Sequence, residues 1–202
     1  MSRLEWPEKS GFPRGALPNG MAPLQSVDLP WDVVAGGAVV RNYAVVMLFI
    51  PPLQPGEAAR IVFTRRSTTV RSHKGQIGFA GGKAESEDVT PRVTALRELS
   101  EELGVPPETV TVVGLLPSVK ALDGGEVRPI VGLATVDVAQ FVPEPAEVDI
   151  VFAEPWTYFA DGKAEEFRFN IFGNWRTSRV YHSPGGRVWG LTAEILRASA
   201  LR

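Results

Sequence analysis

The chain has 202 residues, of which 44% are hydrophobic and 22% charged, and its formal net charge is −2. This length and composition are typical of one globular domain with a sizeable core, and the charge argues against a surface that binds duplex nucleic acid. The absence of cysteine excludes a disulfide scaffold, and two histidines without metal-type spacing exclude the common zinc sites.

The first 36 residues are rich in proline and glycine and are predicted to form an irregular arm, followed by a single domain over residues 37–202. The arm has no apolar core of the signal-peptide type, and the longest apolar run, Ala44 to Ile50, is too short to span a bilayer. We therefore expect a cytoplasmic protein without a membrane partner. Runs rich in Val, Ile and Phe predict strands at about 38–50 and 59–65, separated by a turn at residues 51–56.

A basic loop follows the second predicted strand and leads to the glycine pair Gly81-Gly82. Its cations are Arg65, Arg66, Arg71 and Lys74. Guanidinium groups bind phosphate oxygens through paired hydrogen bonds, so we interpret this cluster as a phosphate-binding surface. A basic surface loop without a ligand is the alternative. His73 lies in the same loop. A direct contact with a phosphate and an exposed side chain without a role explain it equally well.

The next predicted element is a helix at about 91–103. Thr90 is an acceptable N-cap, Pro91 suits the first helical position, and Gly104 with the two prolines after it favours termination. Apolar side chains recur at helical spacing on one side of the helix, at Leu96, Leu99 and Leu103. The side roughly opposite is acidic, with Glu98, Glu101 and Glu102.

The three carboxylates of this helix are expected to project from one face. Neighbouring carboxylates repel one another, and hard divalent cations such as Mg²⁺ take oxygen ligands and bridge them to substrate phosphates. The acidic face therefore indicates a metal-phosphate site. The simpler interpretation is a solvated helix surface with Arg97 and Glu101 as an ordinary ion pair.

Beyond the helix, strands are predicted near 109–116 and 127–136, with a turn at residues 123–125 before the second. Residues 143–148 are expected to start a helix or to form a single turn. A hairpin is predicted from residues 167–172 and 177–181.

Residues 189–201 are predicted to form a closing helix that buries Trp189, Ile195 and Leu196. Strands on both sides of a central helix, with a second helix at the end, favour a mixed sheet covered on both faces. The predicted fold class is therefore α/β.

From Gly82 to Val105 the chain resembles the Nudix box. The usual form of this box is Gly, five residues, Glu, seven residues, and then Arg-Glu-U-x-Glu-Glu-x-Gly-U, where U is apolar. Arg97 to Val105 match it at every defined position. One extra residue lies between Gly82 and Arg97, and the upstream acid is Asp88 or Glu87 in place of Glu.

A second motif resembles the one that precedes the Nudix box in coenzyme A pyrophosphatases. Its matching positions are Thr64, Arg66, Ser67, Arg71, Gly75, Phe79, Gly81 and Gly82. Ala80 stands where that branch prefers proline. Residues 127–132 and 188–193 also resemble this branch.

The resemblance implies an α/β/α sandwich with a mixed β-sheet between helices. It also implies metal-dependent hydrolysis of the diphosphate bond of coenzyme A or a derivative, giving 3′,5′-ADP and 4′-phosphopantetheine. The nearest rival is a Nudix enzyme acting on another nucleoside diphosphate linked to X, such as ADP-ribose or a dinucleotide. A noncatalytic Nudix-like binding module is the rival from a different class. The resemblance allows a homodimer, and nucleic acid is not an expected partner.

The resemblance also assigns roles to the acidic helix. Mg²⁺ or Mn²⁺ is expected to bind oxygen atoms of Glu98, Glu101, Glu102 and Gly82, or of Gly81 in place of Gly82. Arg97 is expected to orient either Glu101 or Glu98. Glu98 is the first candidate for the general base and Glu147 is a contributor, while other acids near Glu144 are alternatives.

Overall fold

A mixed β-sheet built around a central apolar strand organises the molecule. The computed structural model describes residues 24–25, 31, 42–54, 57–70, 72–134, 136–160, 164–171 and 173–199. Within these residues the sheet has eight strands: β1 (Asn42–Ile50), β2 (Arg60–Arg66), β3 (Ile77–Gly78), β4 (Ala80–Lys83), β5 (Val110–Leu115), β6 (Val119–Lys120), β7 (Glu126–Ala134) and β8 (Val148–Pro155). Residues 46–50 of β1 are all buried, as expected for a central strand.

The pairing of β1 brings the glycine pair into the sheet. β1 pairs in parallel with β7 along most of its length, and β5 lies beyond β7. On its other edge β1 pairs antiparallel first with β4, which contains Gly81 and Gly82, and then with β2 through Phe49 and Ile50. β3 and β8 flank β2, and β6 pairs with the start of β7. The glycine pair is therefore held in a regular strand next to β1.

Three helices and a smaller sheet complete the described part of the chain. The helices are α1 (Pro91–Leu103), α2 (Thr157–Ala160) and α3 (Leu191–Ser199). The smaller sheet is antiparallel, in the order β11-β10-β9, with β9 (Glu165–Ile171), β10 (Asn174–Ser183) and β11 (Gly186–Trp189). None of the described helices is long and apolar enough to cross a membrane.

Two hydrophobic cores lie on opposite faces of the large sheet. Alternate side chains of β1 point to alternate faces, so Val46 and Leu48 pack with α1, whereas Met47 and Phe49 pack with α3. The α1 side is filled by Leu96, Leu99 and Leu103 of the helix. The other side also contains aromatic residues around α2 and the small sheet: Phe63, Trp156, Phe159 and Tyr181. The predicted α/β/α sandwich is confirmed.

Most predicted strands are present, with shifted ends. The predicted hairpin is formed by β9 and β10, and residues 143–148 contain a single turn rather than a helix. β8 is a strand that the sequence analysis did not predict. It forms because the free edge of β2 offers a long antiparallel partner, a pairing that no local pattern shows.

The closing helix begins later than predicted. Trp189 belongs to β11, where it pairs with Val180, and its side chain is 40% exposed. Gly190, with a φ of 65°, separates the strand from α3. The prediction that Trp189 is buried in a helix is therefore wrong, whereas the burial of Ile195 and Leu196 is confirmed.

Most of the predicted N-terminal arm lies outside the described residues, as does the predicted start of the first strand at 38–41. Gln25 forms a β-bridge with Leu115, and the backbone N–H of Trp31 donates to the carbonyl of Val89. These residues contact the domain. The boundary at residues 36 and 37 stays a prediction.

Candidate functional site

Helix α1 has the ends that its sequence predicts. The side chain of Thr90 accepts a hydrogen bond from the N–H of Val93 at 3.3 Å, and Pro91 occupies the first turn. Gly104 ends the helix with a φ of 64°, in the left-handed region that glycine adopts without strain. The helix is thus fixed at both ends by local chemistry, and its leucines fix its rotation on the sheet.

The glycine pair lets two glutamates of α1 approach the backbone of β4. The N–H of Gly81 donates to Oε2 of Glu102 at 3.3 Å. A Cβ on Gly82 would lie under 3.0 Å from the carboxylate of Glu98, a separation that real side chains do not tolerate. Because Gly82 has no Cβ, the Glu98 carboxylate can occupy this space. The loop and the helix therefore form one site.

Desolvation raises the pKa of both carboxylates. The Glu102 side chain is only 4% exposed, and this burial raises its pKa to about 7 although Arg66 and the Gly81 N–H oppose the change. Burial also raises the pKa of Glu98, with Arg97 opposing. The negative charge of Glu147 adds to both shifts. The charge of Glu147 therefore acts on the protonation of both Glu98 and Glu102.

Arg97 connects the acids at the other side of the site. It donates to Oε2 of Glu101 at 2.8 Å, to Oε1 of Glu98 at 3.1 Å and to the carbonyl of Lys83 at 3.0 Å. Both of the partners considered for Arg97 thus contact it. The Glu101 side chain is 58% exposed and lies with Arg97 rather than with the buried pair. The three glutamates therefore differ in exposure and in hydrogen-bond partners, although all three lie on α1 at positions i, i+3 and i+4.

Asp88, not Glu87, is the upstream acid that reaches the site. Asp88 is buried and accepts from Nη2 of Arg97 at 2.9 Å and from the N–H of Glu85 at 3.0 Å. Burial alone would raise its pKa, but these hydrogen bonds hold the pKa below its usual value. Glu87 is exposed. The extra residue in the loop is accommodated without loss of the acid's contact with Arg97.

The structure separates the predicted basic cluster. Arg65 forms an ion pair with Asp149 of β8 at 2.8 Å, whereas Arg66 approaches Glu102 at 3.5 Å. Arg65 and Arg66 therefore have different ion-pair partners in the structure, and the phosphate-binding role of the cluster stays a prediction. Lys74 is exposed, and Arg71 lies outside the described residues.

Two residues near the site carried no assignment from the sequence. Ser67 is buried at the end of β2, and its N–H donates to the carbonyl of Glu147 at 2.8 Å. Asp149 is the partner of Arg65. The second motif names Ser67 without giving it a role, and no local pattern marks Asp149, because the partner of each lies about 80 positions away.

The donor set fits a divalent cation. In the described part of the chain no three His, Cys, Asp or Glu side chains already converge as a ligand set. Even so, the half-buried Glu98 and the buried Glu102 both lie against the glycines of β4, and desolvation raises the pKa of each. Hard oxygen donors of this kind suit Mg²⁺ or Mn²⁺. The ligand roles of Glu98, Glu101, Glu102 and Gly82 stay predictions.

Comparison with known proteins agrees with this arrangement. The sequence model described as "NUDIX domain" matches residues 43–170. "Uncharacterized Nudix hydrolase NudL" of Pectobacterium atrosepticum is 36% identical over 150 residues, which are 70% of this chain and 74% of the relative. The protein of the same name from Escherichia coli strain SMS-3-5 is 35% identical over 164 residues, 80% of this chain and 82% of the relative. A solved Nudix hydrolase from M. smegmatis, RenU, is 25% identical with a TM-score of 0.48, covering 59% of this chain and 73% of its own.

Proposed function

This chain belongs to the Nudix family, and from that premise we propose that it hydrolyses the diphosphate bond of coenzyme A or its derivatives. The products are 3′,5′-ADP and 4′-phosphopantetheine or its acyl form. The observation that carries the hydrolase proposal is the placement of half-buried Glu98 and buried Glu102 against the glycines of β4. The choice of coenzyme A is supported by the motif from Thr64 to Gly82.

The acids provide the metal site in this proposal. Glu98, Glu102 and the backbone carbonyl of Gly82 would hold Mg²⁺ or Mn²⁺, together with Glu101 once it turns away from Arg97. When bound, such a cation supplies neutralisation of the diphosphate charge and a water of lowered pKa. Arg97 orients Glu98 through the contact at 3.1 Å.

Glu98 is the proposed general base. It accepts a proton from the attacking water at a carboxylate oxygen. Glu147 contributes to the same step, since its charge acts on both buried carboxylates.

Arg66 is the cation best supported as a diphosphate contact. Its Nη1 lies 3.5 Å from Glu102, and its buried Nε has no hydrogen-bond acceptor among the described residues. An unsatisfied buried donor costs roughly 1–3 kcal/mol, which an anionic oxygen would recover. Lys74 and Arg71 are proposed for the 3′-phosphate. Arg65 must leave Asp149 to bind substrate, which is feasible because exposed ion pairs contribute about 1 kcal/mol or less.

The experiment is a panel of diphosphate substrates with Mg²⁺ and with Mn²⁺, with products resolved by mass. The panel contains coenzyme A, acetyl-coenzyme A, 3′-dephospho-coenzyme A, ADP-ribose and a dinucleoside polyphosphate. We expect coenzyme A or its thioester to have the highest kcat/KM. Loss of a side chain that directly contacts the cation should cost at least the roughly 100-fold seen for outer-shell partners, so Glu98→Gln and Glu102→Gln should each lose most turnover. Glu87→Gln, on the exposed loop, is the matched control.

Three outcomes would contradict parts of this proposal. A higher kcat/KM for ADP-ribose or the dinucleotide would show that this compound, and not coenzyme A, is the preferred substrate. Full activity of both Glu→Gln variants would remove the metal assignment. Binding without hydrolysis of any compound would identify a noncatalytic module.

A further inference from the structure

Residues 188–193 join β11 to α3 and lie against β3. Val188 is fully buried and belongs to the same hydrophobic core as Ile77 of β3. The start of β11 is close to the same side chain, because a Cβ on Gly186 would lie 2.8 Å from Cδ1 of Ile77. The hydroxyl of Thr192 donates to the backbone carbonyl of Ile77 at 3.2 Å. This segment is therefore attached to β3 by apolar contacts and by a hydrogen bond.

The carbonyl that Thr192 binds lies at an edge of the large sheet. β3 is the last strand on one side of the strand path β3-β2-β1-β7-β5. The carbonyl of Arg66 in β2 accepts from the N–H of Gly75 at 3.1 Å, and the N–H of Arg66 donates to the carbonyl of Gln76 at 3.0 Å. Hydrogen-bonded and non-hydrogen-bonded pairs alternate along antiparallel strands, so the backbone groups of Ile77 point away from β2. The Thr192 hydroxyl thus satisfies a carbonyl that β2 does not reach.

β3 is also the stem of the basic loop. Ile77 directly follows Gln76, whose N–H donates to the carbonyl of His73 at 3.1 Å. Nδ1 of His73 and Oε1 of Gln76 are 3.0 Å apart, and His73 has a φ of 58°, in the left-handed region that disfavours residues with a Cβ. Such a conformation persists only where surrounding contacts hold it. The exposed Lys74 lies within this turn, so its position depends on how firmly β3 is held.

We propose that Thr192 is a positioning residue for the basic loop: its hydrogen bond to Ile77 holds β3, and through β3 it keeps the loop cations in place for the 3′-phosphate of the substrate. This inference rests on the proposed function, in which Lys74 and Arg71 bind that phosphate, and deepens it. Since α3 packs on the face of the large sheet opposite α1, Thr192 acts on substrate selectivity and not on the proposed metal site.

The test compares Thr192→Val with Thr192→Ser, because only serine keeps the hydroxyl. The readout is the ratio of kcat/KM for coenzyme A to kcat/KM for 3′-dephospho-coenzyme A, which lacks the phosphate in question. We expect Thr192→Val to lower this ratio about 10-fold through a higher KM for coenzyme A, since a displacement of about 1 Å can cost roughly 100-fold. Thr192→Ser should keep the wild-type ratio. Turnover of 3′-dephospho-coenzyme A and the Mn²⁺ dissociation constant should stay unchanged in both variants.

Ser199→Ala is the matched control on the same helix. Ser199 is fully buried and its hydroxyl donates to the carbonyl of Leu196 at 2.7 Å, so this variant removes a hydroxyl from α3 away from the contact with β3. It should leave the ratio unchanged. Hydrogen exchange gives a readout that does not depend on turnover. The N–H groups of Gly75 and Gln76 should exchange faster in Thr192→Val than in wild type, and not in Ser199→Ala.

Several results would overturn the inference. Equal losses with the two substrates, equal damage by the Val and Ser variants, or the same loss in Ser199→Ala would make the Thr192 contact purely structural. Unchanged exchange at Gly75 and Gln76 would show that Thr192 does not hold the loop. A wild-type protein that hydrolyses no diphosphate would contradict the proposed function. The affinities for 3′,5′-ADP and 5′-AMP, measured by calorimetry, would then give the same selectivity and decide the role of Thr192 separately.

Discussion

At the scale of single residues, the buried carboxylate of Glu102 lowers the stability of the folded protein and provides an oxygen ligand for the proposed metal site. Its carboxylate is buried and accepts a hydrogen bond from the N–H of Gly81. Nη1 of Arg66 lies 3.5 Å from Oε1 of Glu102. These contacts do not offset the burial, since its pKa stays near 7. A buried anion that is incompletely neutralised favours binding of a cation. The same carboxylate therefore lowers the stability of the metal-free protein and strengthens its binding of a cation.

The first prediction is that Glu102 makes the metal-free protein less stable as the pH rises. Its pKa is raised from 4.5 in the unfolded chain to about 7 in the folded protein. The stability contributed by the protonated form is therefore complete below 4.5 and is lost as the pH rises through 7. At pH 8 and in EDTA, Glu102→Gln should be more stable than wild type by up to roughly 3 kcal/mol, at about 1.4 kcal/mol per pKa unit.

Urea unfolding at pH 5 and pH 8 measures this effect. The difference between Glu102→Gln and wild type should shrink at pH 5, and Glu87→Gln should show no such dependence. An equal difference at the two pH values would contradict a raised pKa for Glu102. Addition of Mn²⁺ at pH 8 should stabilise wild type more than the variant.

At the scale of elements, Arg97 joins α1 to the loop that follows β4. One guanidinium contacts Asp88 of the loop, Glu98 and Glu101 of the helix, and the last carbonyl of β4 at Lys83. Since Asp88 is buried and charged, it ties the start of α1 to the loop and orients Arg97 toward the helix acids. The segment from Gly82 to Arg97 is one residue longer than in the usual box, yet Asp88 still contacts Arg97.

The second prediction concerns this junction. Removal of the Asp88 carboxylate takes the acceptor from Nε of Arg97 and from the N–H of Glu85, so Asp88→Ala should lower the free energy of unfolding by roughly 1–3 kcal/mol. It should also reduce kcat, because Arg97 no longer holds Glu98 in place. Glu87→Ala is the matched control, expected to be neutral. Urea unfolding and steady-state kinetics measure both; a larger loss in Glu87→Ala would assign the upstream acid to Glu87.

At the scale of the whole molecule, Glu154 connects the two sheets. It lies on β8, is buried, and accepts a hydrogen bond from the N–H of Gly185 in the turn between β10 and β11. Gly185 packs so closely against Phe152 of β8 that a Cβ would collide with the ring. The large sheet and the small sheet are therefore joined by a polar contact beside the half-buried ring of Phe152.

The third prediction follows from this contact. Glu154→Ala removes the acceptor of the Gly185 N–H and should lower the free energy of unfolding by roughly 0.5–1.5 kcal/mol, the usual net contribution of one hydrogen bond. Glu154→Gln keeps an acceptor oxygen and should lose less. Chemical unfolding of both variants provides the measurement, with exposed Glu108→Ala as the control. A neutral Glu154→Ala would show that the two sheets are held by apolar packing alone.

Agreement between sequence and structure is closest where the information is local. The helix from Pro91 to Leu103, its cap Thr90 and its stop Gly104 were all predictable, because caps and periodic leucines act within a few residues. Agreement is poorest where a partner is distant. β8 depends on the edge of β2, and Trp189 is a strand residue because it pairs with Val180.

The amino-acid sequence alone determined the acidic helix, the glycine pair beside it and the family, because these depend on residue types at fixed short spacings. Only the tertiary structure decided which carboxylates are buried, that Arg65 and Arg66 have different ion-pair partners, and that the N–H of Glu144 binds the carbonyl of Glu102 at the end of α1. The physical reason is that the direction of a strand side chain, and its desolvation, depend on which strand or helix packs beside it.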